Sequence, residues 1–234
     1  MTTMPNTTAL NTVTTVDSVV SYLSTNGIDN KAIWAHLDRT DRIKVKKLLS
    51  ELDAIDAEIF DKDAHKPLSN KQFQADKSGR KGKKFEELTT ELLQGLTCFK
   101  AKHNVFTDVN QIDVLVTLQP NASIVPSIRK WGDRIICECK FHDKGVSVDW
   151  VEKLATILGN NSASVGILIS KKGIARKGPG ANTTHLLHLL AVQGKFIISL
   201  SRNDLEDCVN GSGLLELLVD RYVEVGMGIP QFMR

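Results

Sequence analysis

Apolar residues in the first quarter of the chain recur at helical spacing. One stripe repeats at intervals of three or four residues and consists of Val45, Leu48, Leu52, Ile55 and Ile59. Shorter apolar groups at 19–23 and 33–37 precede it, and this spacing is typical of side chains on one face of a helix. We therefore expect a small all-helical module over residues 16–62. The stripe spans only about two heptads, which favours core packing over a dimerising coiled coil.

The pattern changes in the second half of the chain, where short apolar runs alternate with helical stretches. Four runs have the length and composition of strands, at residues 112–118, 135–140, 165–169 and 196–200. Five segments have helical periodicity, at residues 85–96, 148–158, 183–192, 205–208 and 214–223. Such alternation predicts an α/β domain, with a mixed central sheet covered by helices.

Polar segments set the expected boundaries. Residues 1–15 hold seven threonines and no charge, which predicts a flexible tail. Residues 63–78 are rich in Lys and Asp and include a proline, which predicts a linker. The α/β domain is then expected to cover residues 79–234.

Composition narrows the class of protein. With 41% hydrophobic and 24% charged residues, the chain is typical of a globular protein. It has no apolar run of the roughly 18 residues that a membrane helix needs, and no signal-peptide pattern. The four cysteines form no CxxC pair, so we expect reduced thiols, no contact with a membrane and a cytoplasmic location.

Two of the predicted strands carry charged residues within apolar runs. Asp113 lies between Ile112 and Val114, and alternation along the strand should turn it away from both. The same rule turns Glu138 and Lys140 to one face of the next strand. Neighbouring strands would thus bring an Asp, a Glu and a Lys to one place.

Two carboxylates so close together need a cation between them. They repel one another, and their burial without a partner is unfavourable. Mg²⁺ takes oxygen ligands and keeps several waters, so Asp113, Glu138 and one backbone carbonyl are sufficient, and the carbonyl of Cys139 is the best candidate. We expect Mg²⁺ here, with Mn²⁺ as a substitute.

A third carboxylate comes from the helix predicted at residues 85–96. On a helical wheel Glu86 lies at the edge of the apolar stripe that begins at Phe85, whereas Glu87 lies on the far side. Glu86 should therefore reach the sheet, where it could hold a water or a second ion.

These residues, in their order along the chain, resemble a known family. Gly82-x-x-Phe85-Glu86, then Ile112-Asp113, then Glu138-x-Lys140 is similar to the PD-(D/E)xK restriction-endonuclease-like nucleases, most closely the Mrr-type catalytic domain. The resemblance covers roughly residues 79–209, with Ile112 where the pattern's name has proline. It implies a restriction-endonuclease-like sheet and a magnesium-dependent phosphodiesterase. Asp113 and Glu138 would hold the metal, Lys140 would orient or activate the attacking water, and Glu86 would support the metal site.

Basic residues flank the proposed site in sequence. Residues 1–69 have a net charge of −2 and the rest of the chain has +5, and clustered Lys and Arg bind a phosphate backbone. The candidate DNA-binding residues are Arg80, Lys81, Lys83, Lys84, Lys171 and Lys172. The competing interpretation is that these lysines are solvated in a linker and a turn.

Other polar residues have both a functional and a purely structural interpretation. His142 continues the face of Glu138 and Lys140, so it could contact substrate or be exposed. Lys153 could point toward the site from its helix or be solvated. His185 and His188 have metal-ligand spacing, but no third ligand is visible.

The expected function is therefore a metal-dependent DNA endonuclease, in restriction or defence against foreign DNA. Alternatives are a junction-resolving or repair nuclease of the same fold, or a DNA-binding or assembly subunit that does not cleave. We expect a homodimer, because one site cuts one strand. Its candidate surfaces are the 45–59 stripe and residues 214–223, and the helical module could also bind a protein partner.

Overall fold

The computed structural model describes residues 16–27, 29–63, 65, 68–174, 179–229 and 231. The tail predicted at residues 1–15 lies outside the described residues. The helices are α1 (Val16–Thr25), α2 (Asn30–Leu37), α3 (Arg42–Ala57), α4 (Asn70–Gln94), α5 (Val148–Asn160), α6 (Pro179–Val192), α7 (Arg202–Val209) and α8 (Leu214–Gly226). The strands are β1 (Phe99–Phe106), β2 (Gln111–Leu118), β3 (Arg134–Lys140), β4 (Val165–Ser170) and β5 (Phe196–Ser201). Two short 3₁₀ helices, Pro120–Ile124 and Ile128–Trp131, connect β2 to β3.

The five strands form one mixed sheet in the order β1-β2-β3-β4-β5. Neighbours β1, β2 and β3 are antiparallel, and β3, β4 and β5 are parallel. The predicted α/β architecture with a mixed sheet is confirmed, but β1 was not predicted. It is an edge strand in which Lys100 and Lys102 are exposed and only Phe99 and Ala101 are buried. So few buried positions leave a weak apolar signal.

Helices cover both faces of the sheet. The larger core cluster joins one face to buried side chains of α2, α3, α4, α7 and α8. The smaller core cluster joins the other face to α5 and α6. None of the described helices is long and apolar enough to span a membrane.

The N-terminal helices share the core of the sheet. Val45 and Leu52 of α3 are fully buried in the same cluster as Phe85 and Leu88 of α4. Helix α3 packs along α4, so the described part of residues 16–62 has no separate core of its own.

The expected linker over residues 63–78 is also corrected by the structure. Helix α4 begins at Asn70 and runs for 25 residues without interruption, and the connection from α3 covers only residues 58–69. Ser69 caps the helix together with Gln72 in a capping box. The Ser-x-x-Gln pattern is a known helix start, whereas the glycines at 79 and 82 lowered the apparent helix propensity by about 1 kcal/mol each.

Most apolar residues of the two surfaces expected to form a dimer are covered within the chain, whereas Ile59 and Val223 at their ends are exposed. Val45, Leu48 and Leu52 of the first stripe are buried, and so are Leu214 and Leu218 of α8. They contribute to the larger core cluster, and in this fold their apolar character is explained without a second copy.

Candidate active site

The proposed site lies where strands β2 and β3 separate. Their last paired residues are Val114 and Cys137. Beyond that pair the Asp113 side chain replaces the backbone partner, because its Oδ2 accepts a hydrogen bond from the Cys139 N–H at 2.8 Å. Asp113 is thereby fixed against β3 at the end of the ladder.

The alternation expected around Asp113 is wrong in one respect. Ile112 packs in the smaller core cluster and Val114 in the larger one, so they do not share a face. The pairing with β1 is irregular at the same point, where Asn104 opposite Asp113 is absent from the ladder and has a positive φ of 55°. The strict period of two on which the expectation was based does not hold across Asp113.

Glu138 is the most deeply buried member of the site, with 1% of its surface exposed. Its Oε1 lies 2.6 Å from Nζ of Lys140 and also 2.6 Å from Nζ of Lys153. Lys140 comes from the same strand two residues later, as alternation predicts, and Lys153 comes from α5. Two ammonium groups therefore compensate one buried carboxylate.

Glu86 approaches the same place from α4. It is half-buried, and its pKa is raised by burial and next by the charge of Asp113. Its neighbour Glu87 is exposed and pairs with Lys84 at 2.7 Å. The structure thus brings Glu86, and not Glu87, toward the carboxylates of the sheet.

The raised carboxyl pKa values at the site have two causes, first burial and then repulsion between the carboxylates. Burial raises the pKa of Asp113, and the charge of Glu138 raises it further. Burial alone would lower the pKa of Lys140, but its hydrogen bond and charge interaction with Glu138 outweigh burial and raise it. Lys140 is thus held as a cation beside carboxylates that repel one another.

The residues present fit a magnesium ion by their chemistry. The Cys139 N–H binds Oδ2 of Asp113, and the two lysines lie closest to Oε1 of Glu138, while the Glu86 carboxylate forms no ion pair with a described residue. Oxygen donors of this kind are those that Mg²⁺ prefers. No three His, Cys, Asp or Glu side chains among the described residues already have the arrangement of a metal site. The predicted ligand set differs from such a group, because it consists of two carboxylates and one backbone carbonyl.

The carbonyl of Cys139 has the direction that this set requires. The N–H and C=O of one strand residue point to the same side, and the N–H of Cys139 points to Asp113. The next carbonyl, of Lys140, points the other way and accepts from the Lys171 N–H at 3.1 Å. The Cys139 carbonyl therefore faces β2, beyond the end of the ladder. Its thiol lies 3.5 Å from the Thr89 hydroxyl.

Most of the candidate DNA-binding residues are already engaged in ion pairs. Arg80 pairs with Glu58 and Asp76, and Lys84 pairs with Glu51 and Glu87. Only Lys83 and Lys172 of the six are exposed and form no ion pair with a described residue. The other four have carboxylate partners within the chain, half of which belong to α3 and the segment after it. That the six basic residues bind DNA stays a prediction.

The remaining two candidates, Lys81 and Lys171, form what we call the Asp56 cluster. Lys81 and Lys171 lie 2.8 and 2.6 Å from the two oxygens of Asp56, and Lys171 also contacts Asp143. Both ammonium groups lie over the ring of Phe141, at 5.6 and 5.2 Å from its centroid. Burial alone would raise the pKa of Asp56, but the hydrogen bonds from Lys171 and Lys81 lower it to about 2.

Of the six histidines, the three considered as candidates in the sequence do not come together in one place. His142 is exposed, with its ring 5.7 Å from that of Trp150. His185 is exposed, whereas Nδ1 of His188 lies 3.3 Å from the Val225 carbonyl. The spacing of His185 and His188 thus brings no metal pair together.

Two features of the site were missed or left open by the sequence. The sequence left open whether Lys153 points toward the site or is solvated. The packing of α5 against β3 brings it to Glu138. Asp56 gave no signal, because its partners lie 25 and 115 residues later in the chain. Comparison of the chain with models of protein families, with curated proteins and with solved structures finds no match.

Proposed function

We propose that this protein is a magnesium-dependent DNA endonuclease of the restriction-endonuclease-like fold, closest to the Mrr-type catalytic domain. One observation carries the proposal. Asp113, Glu138 and Lys140 lie together where β2 and β3 separate, and Glu86 reaches them from α4. A setting in restriction or defence against foreign DNA follows from the resemblance.

The residues would divide the chemistry between them. Asp113, Glu138 and the Cys139 carbonyl would hold the ion, with Glu86 in support. When bound, Mg²⁺ makes water nucleophilic and compensates charge on the phosphate and leaving oxygens. The Lys140 ammonium, held by Glu138 at 2.6 Å, would orient the attacking water through a hydrogen bond. Burial of the carboxylates strengthens each of these interactions.

A plasmid-nicking assay tests the proposal. The full chain is incubated with supercoiled, linear and single-stranded DNA in Mg²⁺ and in EDTA. Nicking or linearisation is expected only in Mg²⁺, with loss in Glu138→Gln and Lys140→Met. Glu87→Gln is the matched control, since Glu87 is exposed and points away, and it should cut like the wild type. Cleavage that persists in EDTA or in Lys140→Met would refute the assignment.

We also propose that double-strand cleavage uses two copies of the chain, because one site cuts one strand and a two-fold axis presents two sites to antiparallel strands. Light scattering with and without a DNA duplex measures the stoichiometry. A monomer that makes double-strand breaks in a single binding event would contradict this proposal while leaving the site unaffected.

A further inference from the structure

The second lysine at Glu138 is more than the buried carboxylate needs. Lys140 and Lys153 approach the same atom, Oε1, at 2.6 Å each, so their nitrogens are separated by at most twice that distance. Two ammonium groups this close repel one another. The negative charges of Glu138 and of the neighbouring carboxylates offset this repulsion.

The two lysines differ in how firmly they are held. The Lys140 side chain is 22% exposed, while that of Lys153 is 56% exposed. Lys140 belongs to the same strand as Glu138, whereas Lys153 extends to it from α5 on a flexible four-carbon stem. Lys153 is therefore the one that can leave Glu138 without moving the backbone.

Lys153 also has a possible ion-pair partner on its own helix, with which it does not pair. Asp149 lies four residues earlier on α5 and is exposed, a spacing at which acidic and basic side chains pair on a helix surface. Among the described residues Lys153 instead pairs with Glu138. Its side chain thus extends from the edge of α5 toward the site.

A phosphate is the anion that this arrangement would take. Once the charge of Glu138 is shared with a bound divalent cation, it no longer balances two ammonium groups. The freer ammonium then gains most by moving to another anion close by. In a site for DNA that anion is a non-bridging oxygen of the phosphodiester, which binds Lys as a point charge.

We infer that Lys153 is a phosphate-binding residue of this site, stored on Glu138 and transferred to the substrate phosphodiester when the site holds a divalent cation. The inference rests on the proposed function. Lys140 stays at Glu138 throughout, so the two lysines have separate roles.

Binding of a DNA duplex, measured by fluorescence anisotropy in Ca²⁺ and in EDTA, tests the inference. Ca²⁺ takes the same oxygen ligands, and a gel of the same samples verifies that the DNA is uncut. Lys153→Met should weaken binding about tenfold in Ca²⁺, the value of one charge-assisted contact, and leave binding in EDTA unchanged. Lys153→Arg should retain most of the affinity.

Lys130→Met is the matched control, because Lys130 is exposed and lies near the opposite end of β3. It removes the same charge and should not produce the dependence on Ca²⁺. Circular dichroism checks folding, and Lys153→Gln replaces the methionine variant if that variant unfolds.

The outcomes separate this inference from the proposed function. A wild-type protein that neither binds nor cuts DNA refutes both. If the wild type binds and cuts but Lys153→Met matches Lys130→Met, Lys153 is only a structural partner of Glu138. An equal loss of affinity in Ca²⁺ and in EDTA also overturns the inference, since it would mean a constant contact and no transfer.

Discussion

The Asp56 cluster and the candidate active site are both groups of carboxylates and lysines, and their charges are balanced differently. In the Asp56 cluster two lysines bind one partly exposed carboxylate, whose pKa falls to about 2. At the candidate active site three carboxylates share two lysines, and the pKa values of Asp113 and Glu86 are raised. The same residue types therefore form balanced ion pairs in the Asp56 cluster and leave an excess of carboxylates at the candidate active site. Excess negative charge, together with burial, indicates where a cation would bind.

Substitutions in the two groups are expected to differ most in their effect on the rate of DNA cleavage. Asp113→Asn keeps an oxygen to accept the Cys139 N–H but removes the charge, so we expect cleavage to fall by about 1,000-fold or more. Asp56→Asn should retain cleavage within roughly tenfold, because it acts only on the position of the Phe141 segment. Initial nicking rates in Mg²⁺ measure both. Equal losses would mean that the Asp56 cluster belongs to the site.

Stability should change in opposite directions. At neutral pH Asp56→Asn removes two ion pairs and should lower the free energy of unfolding by about 1 to 2 kcal/mol, allowing for partial solvent screening. Asp113→Asn removes a buried charge and its repulsion by Glu138, so it should raise the free energy of unfolding by up to about 1 kcal/mol in metal-free protein. Urea denaturation in EDTA measures both values. A loss of stability in Asp113→Asn would show that its charge is already compensated.

The two effects should also vanish over different pH ranges. A carboxylate with a lowered pKa stabilises the fold above its ordinary pKa of 3.8, and this contribution is lost as pH falls toward about 2. A carboxylate with a raised pKa destabilises the fold when ionised, and protonation removes this effect already above the ordinary range. As pH decreases from 7, the stability that Asp113→Asn gains over the wild type should therefore decrease first. The stability that Asp56→Asn loses relative to the wild type should remain lost down to about pH 4.

The smallest expected effect distinguishes an available lysine from a paired one. Lys83→Gln should weaken DNA binding a few-fold and reduce the slope of log affinity against log salt by up to about 0.9, the value for one phosphate contact. Lys84→Gln should leave that slope unchanged, because Lys84 is engaged by Glu51 and Glu87. Binding titrations at several salt concentrations measure the slopes. If Lys84→Gln flattens the slope as much, DNA displaces those ion pairs.

Local patterns were sufficient for much of the fold and for part of the site. The four strands with long apolar runs and the alternation of Glu138 with Lys140 follow from neighbouring residues, and the structure agrees with both. The position of Glu86 relative to Glu87 follows from the helical period in the same way. Each of these depends on fewer than about ten consecutive residues.

Features that depend on distant residues could not be predicted. The edge strand β1 has too few buried positions to produce a pattern. The irregularity at Asp113 coincides with a break in the pairing to Asn104, which lies on another strand. The engagement of Lys81 and Lys171 by Asp56 joins three segments that are far apart in the chain. Charged runs in a sequence therefore reveal composition but not which charges are already paired.

The length of α4 restricts how this chain can be recombined with others. One uninterrupted helix packs against α3 along its course and delivers Glu86 to the sheet. A gene fusion with its junction near residue 79 would cut the helix and remove the cover provided by Val45, Leu48, Leu49 and Leu52. Each of those buried side chains contributes roughly 1.5 to 3 kcal/mol. The helices before the sheet and the sheet itself can therefore be exchanged between proteins only as one piece.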